Sequence, residues 1–170
     1  MKKILFLLSL SSFLSSCVVT RGKNGEPGKP GENATGNTPA STYNQNLATK
    51  LGADQYGMKP YVIVMLTTGS AKIEDKAKMA ELMKGHLANI GKLADEEKIV
   101  VAGPFLEKNK ENYRGMFIFN TQSKEEAEQW VKTDPAVQAG VFSYEIFPWY
   151  GSAALPTYLK HHKEIAKENP

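Results

Sequence analysis

The chain has 170 residues, 41% of them hydrophobic and 23% charged, enough apolar material for a folded domain. Its 21 basic and 18 acidic groups leave a formal charge of +3, which offers no electrostatic footprint for nucleic acid. The single cysteine, Cys17, excludes a disulfide within the chain.

Lys2 and Lys3 precede an apolar run from Ile4 to Leu14, which small residues close at Leu14-Ser15-Ser16-Cys17. This is the layout of an export signal, and the run is too short for the roughly 20 residues of a spanning helix. An apolar helix of a cytosolic domain fits these flanks poorly. Leu-Ser-Ser-Cys also resembles the lipobox of bacterial lipoproteins, in which the cysteine takes a diacylglycerol and the signal is cut before it. The resemblance implies residues 1–16 as signal and Cys17 as the lipid-bearing first mature residue. The chain is then anchored to a membrane without spanning it. Val18 is not the aspartate associated with inner-membrane retention, so an outer-membrane site is expected, with the leaflet open. Loss of residues 1–16 removes Lys2 and Lys3, leaving 19 basic groups against 18 acidic ones.

Residues 17–41 are rich in Gly, Pro, Asn and Lys and hold few large apolar side chains, so they are expected to be a disordered tether. Gly22, Gly25, Gly28 and Gly31 recur every third residue, a repeat too short for a triple helix. As a flexible coil, such a segment spreads over roughly 25–30 Å.

Residues 42–58 read as a short helical lead-in, from Tyr43 to Lys50, stopped by Gly52. The β-branched run Tyr61 to Leu66, after Pro60, predicts a first strand. A long helix follows from about Glu74 to Glu97. Ile99 to Ala102 predicts a second strand halted by Gly103-Pro104, and Arg114 to Asn120 a third. Ser123 and Glu126 have the spacing of a capping box that opens a helix bearing Ala127, Trp130 and Val131 on one side. Val141 to Phe147 predicts a fourth strand, with Phe142, Tyr144 and Ile146 alternating against Ser143 and Glu145. In the tail at 151–170, Pro156 to Lys167 reads as a possible helix with Leu159 and Ile165 as its apolar contacts.

Strand, helix, strand, strand, helix, strand within residues 59–150 is the α+β, ferredoxin-like βαββαβ arrangement, an antiparallel sheet with two helices on one face. The other face is then expected to be bare within one chain. A small domain rarely leaves such a face wet, which argues for a homodimer packed sheet to sheet.

No phosphate loop, nucleophile elbow or metal-ligand spacing is present, so no metal or cofactor is expected. His161 and His162 sit side by side in the tail and read as solvated. His86 differs. On the long helix, Met79, Leu82, Met83, Leu87, Ile90, Leu93 and Ala94 span a wedge of about 140°. His86 falls near its centre, opposite Lys84 and Lys92. It is either a core histidine satisfied by a backbone carbonyl or a titratable group placed for chemistry. Asp134 is a good N-cap before Pro135, and its second oxygen is free to orient an imidazole.

Met83-Lys84-Gly85-His86-Leu87, Val101-Ala102-Gly103-Pro104-Phe105, Arg114-Gly115 and Asp134-Pro135-Ala136-Val137-Gln138-Ala139-Gly140-Val141 together resemble the YCII-related family over about Lys59 to Tyr150. The resemblance implies a dimeric α/β-barrel and a pocket holding a His and an Asp, here His86 and Asp134 as the catalytic pair. It also implies small aromatic substrates for a few members, including a dehydrochlorinase that needs no cofactor or metal. Gly103, Pro104, Phe105, Arg114 and Tyr144 are the expected substrate-binding rim, partly from that motif and partly as strand-end positions. Two functions stay open. One is proton transfer or elimination on a small cyclic or aromatic compound, with His86 as base. The other is a non-catalytic surface lipoprotein that binds a small ligand.

Overall fold

The computed structural model describes residues 42–168. The expected signal at 1–16, Cys17 and the tether to residue 41 lie outside the described residues. Ten elements follow in chain order: α1 (Gln45–Leu51), β1 (Met58–Thr68), α2 (Lys76–Asp95), β2 (Ile99–Pro104), β3 (Tyr113–Phe119), α3 (Lys124–Val131), α4 (Pro135–Gln138), β4 (Phe142–Ser152), the 3-10 turn η1 (Leu155–Tyr158) and α5 (Leu159–Ile165). The four strands form one antiparallel sheet in the order β2-β3-β1-β4. Helical segments connect β1 to β2 and β3 to β4, as in the split βαβ connectivity expected from the residue pattern.

The strands run further than the apolar runs suggest. β1 and β4 each have 11 residues and pair along their whole length, from Met58 opposite Ser152 to Thr68 opposite Phe142. Gly103 and Pro104 do not halt β2; they belong to it and pair with Met116 and Gly115. Pro104 is tolerated because β2 is an edge strand, and Pro148 because β4 is the other edge. Pro60 sits in β1, whose pairing to β3 begins only at Val62, so one side of the strand is free there. Proline marks unpaired N–H positions in this sheet, and strand ends only by default.

Helices α1 to α4 each start on a side-chain cap, and α5 has none. Asn44 caps α1, which ends at Gly52 in the left-handed conformation. Asp75 accepts from Ala77 N and Lys78 N at the start of α2. Ser123 accepts from Glu126 N to open α3, but the expected capping box is only half formed. The Glu126 carboxylate takes the Thr121 hydroxyl instead, and that hydroxyl oxygen accepts the Ser123 N–H. Thr121 thus inserts into the reciprocal bond.

Val62, Val64 and Leu66 of β1, Ile99 of β2, and Phe117 and Phe119 of β3 pack under Leu93 of α2 and Ala127 and Val131 of α3. Within the expected wedge of α2, Leu82 and Leu93 are buried, whereas Leu87 lies at its margin and is exposed. The second sheet face has its own cluster, Tyr61, Val100 and Ile118. That face is not bare, which corrects the expectation above. After β4, Ala153 N donates to Gly57 O, and Leu155 and Leu159 pack against the cluster. The Tyr158 hydroxyl donates to Val100 O, and Lys163 Nζ reaches Asp95 Oδ1 at 2.7 Å. The tail therefore crosses the sheet from the β4 edge to the β2 edge. Leu159 is an apolar contact as expected; Ile165 is 79% exposed and is not. His161 and His162 are exposed on α5.

Candidate functional site

Two buried ionisable side chains meet above the sheet. His86 is 7% exposed and Asp134 is 1% exposed. His86 Nδ1 donates to Asp134 Oδ2 at 2.5 Å. The other oxygen of Asp134 accepts from Ala136 N at 2.8 Å, so the N-cap role and the histidine contact are filled by different oxygens of one carboxylate. This satisfies both readings of Asp134 at once. A core histidine bonded to a backbone carbonyl is not what the structure contains.

Local geometry brings the two together. Gly85 precedes His86, and a Cβ placed on Gly85 would lie 3.1 Å from Pro135 Cγ. An alanine at 85 would require Pro135 to give by a few tenths of an ångström, so glycine permits this close approach of α4 to α2. One turn further along α2, Asn89 Oδ1 lies 3.0 Å from the Thr133 hydroxyl. Gly85, His86 and Asn89 thus face Pro135, Asp134 and Thr133 as three successive contacts.

The His86 ring is flanked by Phe142, with centroids 5.1 Å apart, and by Phe117 at 6.2 Å. With Nδ1 donating to a carboxylate, Nε2 of the neutral ring carries the free lone pair. Among the described residues, every fully buried side-chain nitrogen or oxygen has a hydrogen-bond partner. Among the described residues, His86 hydrogen-bonds through Nδ1, and 7% of the residue stays exposed.

The expected rim is scattered. Pro104 and Tyr144 share one row of the helix-covered face, Pro104–Gly115–Leu66–Tyr144, but stand on opposite edges of the sheet. Tyr144 donates to Glu128 Oε1 at 3.1 Å, and Lys132 Nζ reaches the same oxygen at 2.8 Å. Burial and the Glu128 carboxylate raise the Tyr144 phenol pKa, while Lys132 and Tyr144 together hold the Glu128 carboxyl low. Gly103 and Arg114 are exposed strand residues. Phe105 is partly exposed and stacks on Tyr113, with centroids 6.5 Å apart. It lines an open cleft of about 460 Å³ with Leu106, Glu107, Lys108, Asn109 and Tyr113, all in the β2–β3 connection and β3 start. That cleft contains no part of the His–Asp pair, and an open volume in a surface loop is a weaker guide to chemistry than a buried, oriented imidazole. Phe117 and Phe142, the residues beside the imidazole, were absent from the expected rim. Phe142 reads only as one of an alternating set and Phe117 only as part of a strand, and the packing of α2 over β3 and β4 brings both to His86. Among the described residues, no group of three or more His, Cys, Asp or Glu side chains gathers as a metal site.

Residues 60–150 match the YCII-related domain. The chain belongs to the YCII-related family. A solved structure similar to this YCII-related chain is a 5-chloro-2-hydroxyhydroquinone dehydrochlorinase from Burkholderia phenoliruptrix AC1100, in complex with 2,5-dihydroxybenzoquinone. It is 23% identical, with a TM-score of 0.39, and the match covers 54% of this chain and 93% of that one. No curated protein matches the chain.

Proposed function

We propose that this YCII-related protein uses His86, oriented by Asp134, to move a proton on a small cyclic or aromatic compound without help from a cofactor. The observation that carries the reading is the 2.5 Å contact between His86 Nδ1 and a carboxylate whose second oxygen is already fixed. A carboxylate held in this way keeps the imidazole in one tautomer and one orientation, so Nε2 is the basic nitrogen. The phenyl rings of Phe117 and Phe142 beside it favour a flat, apolar substrate. A positioned base of this type contributes typically about 10²–10⁴-fold, enough for an activated C–H bond or an elimination. The protein acts as a homodimer tethered to the outer membrane through lipid on Cys17.

The test follows C–H exchange of hydroxyquinones and cyclic 1,3-diketones in deuterated water by NMR. The native chain should accelerate exchange, and His86→Asn should lose on the order of 10²–10⁴-fold of it. Equal exchange by both proteins would contradict the reading. Retained binding without exchange in the native chain would favour a ligand-binding lipoprotein.

A further inference from the structure

The strap formed by Ala153 to Ile165 has a consequence for self-association, given the reading above that the second sheet face meets another copy. Register pairing orders that face into rows. Val101, Ile118, Ile63 and Phe147 form one, and Gly103, Met116, Met65 and Glu145 the next. The strap sits on the end carrying Tyr61, Val100 and Ile118, each under 9% exposed. In the row of Ile118, Ile63 is half-buried and Phe147 is more than a third exposed, as is Trp149 opposite Tyr61; in the next row Met65 and Met116 remain half-buried.

Area decides what a second copy finds there. At about 3.3 Å per residue and 4.8 Å between strands, the four strands present a flat face of roughly 550 Å². Stable interfaces take about 600–1,000 Å² from each partner. Side chains give that projection more accessible surface than its flat area, so the whole face is within reach of a stable interface, and the seated strap withdraws the end carrying Tyr61, Val100 and Ile118 from it. We propose that the C-terminal strap limits pairing of two copies: seated, it leaves room for a weak contact only, and its release opens the full face to the partner. Its attachments suit a part that comes away. α5 buries none of its own residues, and its far end is held by the exposed Lys163–Asp95 pair, a type of contact worth at most about 1 kcal/mol.

The experiment compares full-length chains carrying Cys17→Ser, in a non-ionic detergent, by sedimentation velocity over a wide concentration range. Strap release is made gently by Tyr158→Phe with Lys163→Ala, and more strongly by Leu159→Ser. Circular dichroism and thermal unfolding confirm that each variant is folded. Release should lower the dimer Kd at least about tenfold, and Met65→Glu should abolish pairing in both backgrounds. A dimer whose Kd is unchanged or raised by release overturns the strap as a limit while leaving the dimer standing. No association in any variant, released or not, overturns the dimer itself and the strap's role with it.

Discussion

Asp134 carries two duties that substitution can separate. Asp134→Asn keeps an oxygen for Ala136 N and so retains the cap, but it presents an amide where His86 Nδ1 now finds a carboxylate. If that amide donates, Nδ1 must accept, and the hydrogen moves to Nε2, where a base needs none. Asp134→Ala removes both bonds. The Ala variant should therefore be less stable than the Asn variant by about 1 kcal/mol, the worth of an N-cap, while both lose activity alike. Urea unfolding alongside the exchange assay measures this, and equal stability of the two would show that the cap contributes nothing. Tyr61 supplies a pH test of the second face. Burial pushes its phenol up to about 12, against roughly 10 in an unfolded chain. The neutral phenol is favoured by the fold, so this stabilisation is complete below about pH 10 and is lost as pH rises towards 12. Tyr158 is raised in the same direction by burial. The fall in urea midpoint between pH 9.5 and 11.5 should shrink in Tyr61→Phe without vanishing, and an unchanged fall would contradict the burial argument. At this scale the sequence was informative. The 3.6-residue period put His86 in mid-face, and Asp-Pro put Asp134 at a cap. Their contact, and the two phenylalanines beside it, arise from packing between elements far apart in sequence, for which no local pattern exists.

Among the elements, the tie between the end of β1 and the turn into β4 positions Phe142. Gly69 N donates to Val141 O at 2.8 Å, and Ala71 N to Gly140 O at 3.0 Å. A Cβ on Gly69 would lie 2.0 Å from Gly140 O, a contact with backbone that no rotamer relieves. Gly69→Ala should cost about 1–3 kcal/mol in chemical denaturation and should weaken any ligand interaction at His86. A neutral result would mean that the two segments separate readily. Elements were legible where apolar residues are dense, in the continuous run Val62 to Leu66 and in the alternation from Phe142 to Ile146. Their ends were not, because Pro60 and Pro104 read locally as breaks, while the sheet places them, and Pro148, where the missing N–H has no partner to lose. The strap was legible in part: Leu159 reads as an apolar contact of a tail helix, but what it covers, and the parts of Leu155 and Tyr158, emerge only when the second face gives them a surface.

For the whole molecule, the N-terminal expectations make a separate claim about where the domain works. Cys17→Ala should abolish labelling by a radiolabelled fatty acid and release the protein from membranes; undiminished labelling would contradict the lipid anchor. No described helix is long and apolar enough to cross a membrane. The central claim concerns the pair at the heart of the YCII-related domain, and native mass spectrometry of protein purified from its own host tests it most directly. The native chain should carry a small cyclic or aromatic compound that a folded His86→Asn chain has lost. The same compound retained equally by His86→Asn would contradict the account and leave His86 and Asp134 as parts of the core.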